Sequence, residues 1–426
     1  MLRTVLSIFS LLIAVAILLL GSGLLGTIIA LRASAEFMSS NVTGLIMSGF
    51  FAGYVIGSYI CPRIQQNVGH IRSFSTFAAI GSAAVILNGL WIDPLVWWLL
   101  RVITGISMLG MYLAIESWLG NLATNQNRGR LFAVYMTVNL LALGLGQYML
   151  MIYGYEGIAP FTLSALFFSL ALVPIALTRM REPGFVTVPH LGLRNLYATS
   201  PLGVIAVLIS GLVAGGFWGM GPIYAMGAGL SERGVALFMS AVIFGGALLQ
   251  WPIGHLSDNH DRRLVLANVS LIGAGAALVV YFIAASHLAW ALIVSIAFGG
   301  CAFSVYSLAV AHTNDHMEAS QMLEASRGLL LLSGIGASIG PILAGFAVAW
   351  AGSHGLMLYF AVLLVILSGY TVLRRRVGAV IPTEDQGEFV AMARTSAAVL
   401  ELDPRVEPED DEVTETPPPR VEQRSG

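Results

Sequence analysis

Twelve apolar runs divide this 426-residue chain, each about 20 residues long, which is what a helix needs to cross a bilayer. They fall near 5–31, 42–60, 73–92, 95–119, 131–153 and 159–178 in the first half. In the second half they fall near 201–225, 234–254, 264–285, 288–311, 328–350 and 355–373. Backbone in hydrocarbon has no water to bond, so such runs must satisfy their own amides as helices. Only 10% of residues are charged and mean hydropathy is +0.82. A soluble domain carries about 25% charged residues, so this chain has too little polar surface to face water on all sides. The first run follows Arg3 and ends near "ASA" (Ala33 to Ala35), the outline of a secretory signal. At about 27 residues it exceeds the 7 to 15 of a signal core, and it is read as the first span. The expected fold class is an all-α integral membrane protein with twelve transmembrane helices.

Orientation follows from the basic residues, all of which are arginine. With the N-terminus inside, fourteen arginines before residue 377 fall in segments on the inner side. Arg32, Arg101 and Arg233 lie towards the outer side. Short loops rich in Arg stay cytoplasmic, so a multi-pass protein of the bacterial inner membrane with both termini in the cytoplasm is expected. Residues 377–426 change character, with twelve acidic residues against four Arg and the stretch "EPEDDEVTETPPP". That bias is the composition of a disordered, cytoplasmic acidic tail. Cys61 and Cys301 both sit beside apolar runs, with no paired spacing for zinc or a disulfide framework, and are read as packing residues.

The halves repeat one another. "RGRLF" opens the fifth span at Arg128 and "RGLLL" the eleventh at Arg327, an offset of 199. "GSYICPR" follows the second span from Gly57 and "GHLSDNHDRR" the eighth from Gly254, an offset of 197. Self-similarity at a fixed period marks duplicated structure, here two copies in the same orientation. The chain is therefore divided into an N-terminal six-helix bundle (1–178), a proline-broken polar linker (179–200), a C-terminal six-helix bundle (201–376) and the tail (377–426).

The most polar break, "QWPIGHLSDNHDRR" from Gln250, offers His255, Asp258, His260 and Asp261 as metal ligands. A second cluster, "AHTNDHMEAS", places His312 and His316 one turn apart beside Asp315. The first is instead read as a charged loop and the second as a helix-terminal hydrogen-bond network, so no metal and no cofactor is expected. Gly254, Asp258, Arg262 and Arg263 resemble the loop motif G-x-L-x-D-R-x-G-R-R of the major facilitator superfamily, with Asn259 for the first Arg and Asp261 for the second Gly. "RVITG" (Arg101 to Gly105) resembles the family's R-x-x-x-G element. "GIGASIGPILAG" (Gly334 to Gly345) resembles a glycine-proline signature that drug antiporters carry in their fifth helix. Here the fifth span reads "LALGLGQYML" without proline. "GLIMSGFFAGYVIGSY", "NRGRLFAVYM" and "YSLAVAHTND" look most like the YcaD-type branch. The resemblance implies two six-helix bundles, and a loop latch in which Asp258 faces a helix N-terminus while Arg262 and Arg263 pair with acids. Cys61 stands where the first-half copy would carry Asp, so Arg63, Arg72 and Glu116 are expected to latch that side.

Ionisable groups inside a membrane are costly and default to functional candidates; Arg101 and Glu116, both on the fourth span, are the two good ones. Fifteen residues of helix put them about 22 Å apart. Arg101 is read as meeting an anionic substrate group or an acid on another helix, the alternative being an arginine that snorkels to the outer headgroups. Glu116 is read as a partner of loop arginines and as a candidate proton site. The resemblance implies a cavity built from spans 1, 4, 7 and 10, so Ser22, Thr27, Met108, Tyr112, Trp218, Tyr224, Ser304 and Tyr306 join Arg101 as candidates. No span contains a nucleophile with its base, paired Asp or H-E-x-x-H, so an enzyme is not expected. The resulting expectation is a monomeric secondary active transporter of a small organic solute working by alternating access, with the bilayer and a proton as partners and no nucleic acid. A lipophilic drug/proton antiporter and a transport-dead membrane sensor are the alternatives.

Overall fold

Each apolar run becomes one helix in the computed structural model, which describes residues 2–124, 126–178, 192–283, 287–377 and 382–402. The linker residues 179–191 and tail residues 403–426 lie outside that range, so the expectations placed on them do too. The helices are α1 (Leu6–Ala35), α2 (Ser40–Val68), α3 (His70–Leu90), α4 (Pro94–Leu122), α5 (Arg128–Tyr153) and α6 (Ala159–Leu177). After the short helix Leu193–Thr199 come α7 (Pro201–Gly227), α8 (Glu232–Asp258), α9 (Arg262–Ile283), α10 (Leu288–Asn314), α11 (Gln321–Ala351) and α12 (Gly355–Val377). No strand occurs among the described residues.

Most helices overrun the apolar spans because their polar ends leave the hydrocarbon while still helical. Caps then stop them. Asp93 accepts from the amides of Leu95 at 2.9 Å and Val96 at 3.0 Å, and Pro94 starts α4, where an amide would have no intrahelical partner. Ser39, Ser200 and Ser231 do the same for α2, α7 and α8.

The duplication reappears as packing. In the first bundle α2 packs on α4, α1 on α5, and α3 on both α4 and α6; in the second, α8 packs on α10, α7 on α11, and α9 on both α10 and α12. Two six-helix bundles result. Large side chains such as Trp251, Phe282 and Trp350 point away from them and are exposed, as lipid-facing positions are. Between the bundles, contact runs through α2 with α11, α5 with α8, and α1 with α7.

That contact is tight at the end where α2 begins, called here the Ser40 end. A Cβ on Gly44 would run into the Pro341 carbonyl, and one on Gly345 into the Ser40 carbonyl. Nearby, Ser240 Oγ donates to the Gly144 carbonyl at 2.9 Å, tying α8 to α5. The glycine-proline stretch of α11 thus closes one end of the molecule. At the opposite end, where α8 gives way to α9, the described part of the tail lies against and between the bundles. Residues 382–402 were expected to belong to a disordered tail. Instead Met392, Val399, Leu400 and Leu402 are buried, and 397–402 form a 3-10 helix against α4, α5 and α11. The reason is local: "FVAMARTSAAVLEL" (389–402) is largely apolar and can bury enough surface to offset its ordering.

Candidate functional site

A cavity of about 570 Å³ lies between the bundles. Phe50, Tyr54, Trp218 and Phe303 give it aromatic walls, and Asn139, Gln250, Glu324 and Arg327 give it polar ones. Residues 392–397 of the tail line it as well. Of the nine cavity candidates, Ser22, Thr27, Arg101, Met108, Tyr112 and Trp218 line it. Arg101, Met108 and Tyr112 do so because steps of seven and four residues return to one face of α4.

Three candidates are placed elsewhere. Tyr224 turns from the cavity and donates to the Val280 carbonyl at 3.1 Å, so it joins α7 to α9. Ser304 bonds back to the Gly300 carbonyl at 2.7 Å, the usual way a serine hides its hydroxyl in an apolar helix. Tyr306 is buried beneath the tail residue Arg394, with its hydroxyl unbonded. Thr27 donates to Gln147 at 2.6 Å, and Gln147 donates to the Gly23 carbonyl at 2.9 Å. Tyr112 donates to Asn139 at 3.2 Å. These amides hold the cavity wall of the first bundle.

Arg101 is 4% exposed. Its guanidinium lies 4.6 Å from the Phe50 ring centroid, and its Nε has no acceptor. Among the described residues it has no hydrogen-bond or ion-pair partner. A buried cation held only by a ring face is an incomplete site, since cation–π contact returns on the order of 2 kcal/mol when desolvated and leaves the guanidinium N–H groups without acceptors.

Glu116 corrects an expectation. It is fully buried and forms no ion pair with Arg63 or Arg72, both of which are exposed. Its carboxylate accepts instead from Tyr135, Thr395 and Ser396. The sign of its charge suggested arginine partners, but those arginines project from the ends of α2 and α3 whereas Glu116 faces the bundle interior.

The predicted latch residues of the second bundle do come together, with different partners. Arg262 is 2% exposed and donates to both oxygens of Asp315 at 2.9 Å, to Asp258 at 3.0 Å and to the Gly387 carbonyl. Asp258 does not face a helix N-terminus; it accepts from Arg262 and, at 2.8 Å, from the Phe389 amide. Asp261 takes the helix-end role, accepting from the Arg263 amide at 3.0 Å, from Arg263 Nε at 3.2 Å and from Arg375 at 3.1 Å. Burial pushes the Asp261 carboxyl up, but the bonds from Arg263 and then Arg375 outweigh it and hold the group below its ordinary value. Gly254 lies where any Cβ would strike the Phe389 ring. Asp315, expected in a helix-end network, supplies the principal counter-charge of Arg262. No cluster of three or more potential metal ligands occurs among the described residues.

Comparison with known proteins agrees with this architecture. The family model described as Major Facilitator Superfamily matches residues 11–322 and again 203–401. An MFS-type transporter of Enterobacter sp. (strain 638) is 29% identical over 342 residues, covering 78% of this chain and 86% of that protein. The MFS-type transporter YcaD of Escherichia coli O6:K15:H31 (strain 536 / UPEC) is 27% identical over 328 residues, covering 76% and 84%. Both relatives are uncharacterised. Among solved structures, a mutant of the nucleoside transporter NupG superposes with a TM-score of 0.71 at 14% identity, covering 86% of this chain and 99% of that one. A bacterial homologue of the human lysosomal transporter Spinster, inward-facing and occupied, superposes with a TM-score of 0.70 at 16% identity, covering 89% and 97%. At such identities the likeness is one of fold.

Proposed function

The chain belongs to the Major Facilitator Superfamily and resembles its YcaD-type members, and from that premise we propose that it is a secondary active transporter moving a small organic solute by alternating access. The observation that carries the reading is Arg101: a buried, unpartnered cation on the wall of a cavity between two pseudo-equivalent bundles. An unpaired charge in a membrane interior costs several kcal/mol, and an anionic or strongly polar solute group supplies what the protein withholds. The transported solute is accordingly neutral or anionic at the end that meets Arg101.

Placing the arginine-rich loops in the cytoplasm puts the Ser40 end outside, so the state described is closed outwards and faces inwards. On the same reading the protein is a monomer of the bacterial inner membrane with both termini cytoplasmic, divided at 1–178, 179–200, 201–376 and 377–426. Pivoting of the bundles breaks the Gly44–Pro341 contact and brings the latch end together. Glu116 is the proposed proton site, because it is a buried carboxylate that meets the tail where the tail lines the cavity, and its described side-chain donors are all hydroxyls, with the Ser396 amide beside them. A lipophilic drug/proton antiporter is the second reading, favoured by the Phe50, Tyr54, Trp218 and Phe303 walls.

The test is flux in proteoliposomes across a panel of organic anions, neutral metabolites and lipophilic dyes, with and without an imposed pH gradient. Saturable uptake of an anionic or neutral metabolite supports the first reading and uptake of dyes alone the second. Ligand binding without flux for any compound indicates a sensor. Loss of pH-gradient dependence in Glu116→Gln, with flux retained, assigns the proton to Glu116; unchanged dependence removes it.

A further inference from the structure

Arg394 is the deepest charged group the tail delivers to the cavity. Its Nη2 donates to Ser210 Oγ at 2.6 Å and its Nη1 to the Ser210 carbonyl at 3.2 Å. Its guanidinium carbon lies 4.6 Å from the Tyr306 ring centroid. Ser210 on α7 and Tyr306 on α10 are each 1% exposed with Arg394 seated on them, so both partners of this cation belong to the second bundle and the contact is enclosed. The geometry is that of a cation site: a ring face below, a carbonyl and a hydroxyl at the edge. Tyr306 keeps an unbonded buried hydroxyl there as well. One step along the tail, Thr395 and Ser396 meet Glu116 on the first bundle, so three consecutive residues touch polar groups of both halves.

Nothing about bundle packing calls for this pocket. A tail needed only as a strap is already held at the latch, where the Phe389 amide meets Asp258 and the Gly387 amide meets Asp315 at 3.1 Å. Burial lowers the Arg394 guanidinium to about 10, Tyr306 opposing the shift, and the group therefore remains cationic at neutral pH.

Resting on the transport reading above, we propose that the Ser210–Tyr306 pocket, which Arg394 separates from the transport cavity in this state, is a cation subsite opening off that cavity, for an ammonium or guanidinium group of the solute, and that Arg394 fills it as a tethered competitor. A segment tethered to its own site acts at an effective concentration of about millimolar, so a solute must outcompete it or meet the protein with the segment withdrawn. Removing the competitor raises apparent affinity.

The experiment is calorimetric titration of purified full-length protein with 4-guanidinobutanoate and 4-ureidobutanoate, which share the carboxylate and differ in the cationic head. In Arg394→Ala the guanidino compound is expected to bind at least tenfold more tightly than the ureido compound, and at least tenfold more tightly than it binds wild type. Arg394→Gln, which keeps the side-chain length without the charge, is expected to match Arg394→Ala. Adding Tyr306→Leu or Ser210→Ala to Arg394→Ala is expected to remove the preference for the guanidino head. Equal binding of the two compounds overturns the cation subsite while leaving the Arg101 reading intact, because both carry the anion. Equal affinity of wild type and Arg394→Ala for the guanidino compound overturns the competitor role. Absence of binding by either compound to Arg394→Ala that retains the wild-type unfolding temperature overturns the proposal. The readout is binding, so failure of flux in the reconstitution experiment does not decide it.

Discussion

Arg101→Met is expected to make the protein more stable and less able to transport. Arg101 carries a charge at 4% exposure with no described partner other than the Phe50 ring. An arginine within a spanning helix costs about 2.5 to 3.5 kcal/mol on insertion scales. The ring contact returns on the order of 2 kcal/mol when desolvated, and taking that figure leaves a net cost of about 1 kcal/mol. Methionine removes the charge, keeps an unbranched stem along Phe50 and adapts to irregular space. For bundles of this size, 1 kcal/mol shifts the unfolding midpoint by about 2 to 4 °C. The assay is thermal unfolding of purified wild type, Arg101→Met and Arg101→Lys without added solute, paired with uptake in proteoliposomes. Arg101→Lys keeps an unpaired cation and is expected to show no gain in midpoint. A fall in midpoint for Arg101→Met would show that the guanidinium has a structural partner. Unchanged uptake would remove Arg101 from the solute's path. Stability withheld at a binding position is a common cost of function.

Asp258→Asn weakens the bonds to Arg262 and Phe389; a loss of about 1 to 3 kcal/mol shifts the inward–outward balance by about five- to a hundredfold, read as altered labelling of an engineered cysteine at the Ser40 end. Unaltered labelling and transport in a well-expressed variant would reduce these charges to a solvated turn. Gly44→Leu drives a side chain into the Pro341 carbonyl, so that end is expected to stay apart, with raised cysteine labelling there and lost transport in protein that still inserts. Asp261 has a depressed folded-state pKa, so its contribution is present above the unfolded value of about 3.9 and disappears as pH falls through the lower folded value. Thermal midpoints followed from pH 6 down to pH 3 are expected to drop more steeply in wild type than in Asp261→Asn, and parallel curves would contradict the assignment.

The twelve helices were legible because desolvation of a backbone is so costly that long apolar runs have one outcome. Cavity residues were legible only as far as helical phase carries. Arg101, Met108 and Tyr112 share a face and all line the cavity, whereas Tyr224 lies six residues from Trp218 and so points about 120° away around α7. Partners across the fold were not legible. The motif spacing identified Arg262, but Asp315 reaches it through the packing of α9 against α10, which no local pattern encodes. The tail misled because averaging over 377–426 let the acidic, proline-rich end mask the apolar stretch from Phe389 to Leu402. A shorter window would have separated the two.

One segment connects the latch to the cavity. From Phe389 at Asp258 to Ser396 at Glu116 is seven residues, a reach of up to about 24 Å in extended chain, and along it Arg394 enters the second bundle while Ser396 enters the first. The bundles cannot close at the latch end with Met392 to Ala397 lying between them as cavity lining. On the alternating-access proposal, closure requires residues 392–397 to leave, which frees the Ser210–Tyr306 pocket, and a segment that leaves as one unit also gives up its bonds to Asp258 and Asp315. Because two occupants that exclude one another are linked reciprocally, the competitor proposal predicts that a change weakening the Phe389–Asp258 bond alone tightens solute binding at a pocket it does not touch. On the same proposal, solute loosens the segment at the latch by the same factor.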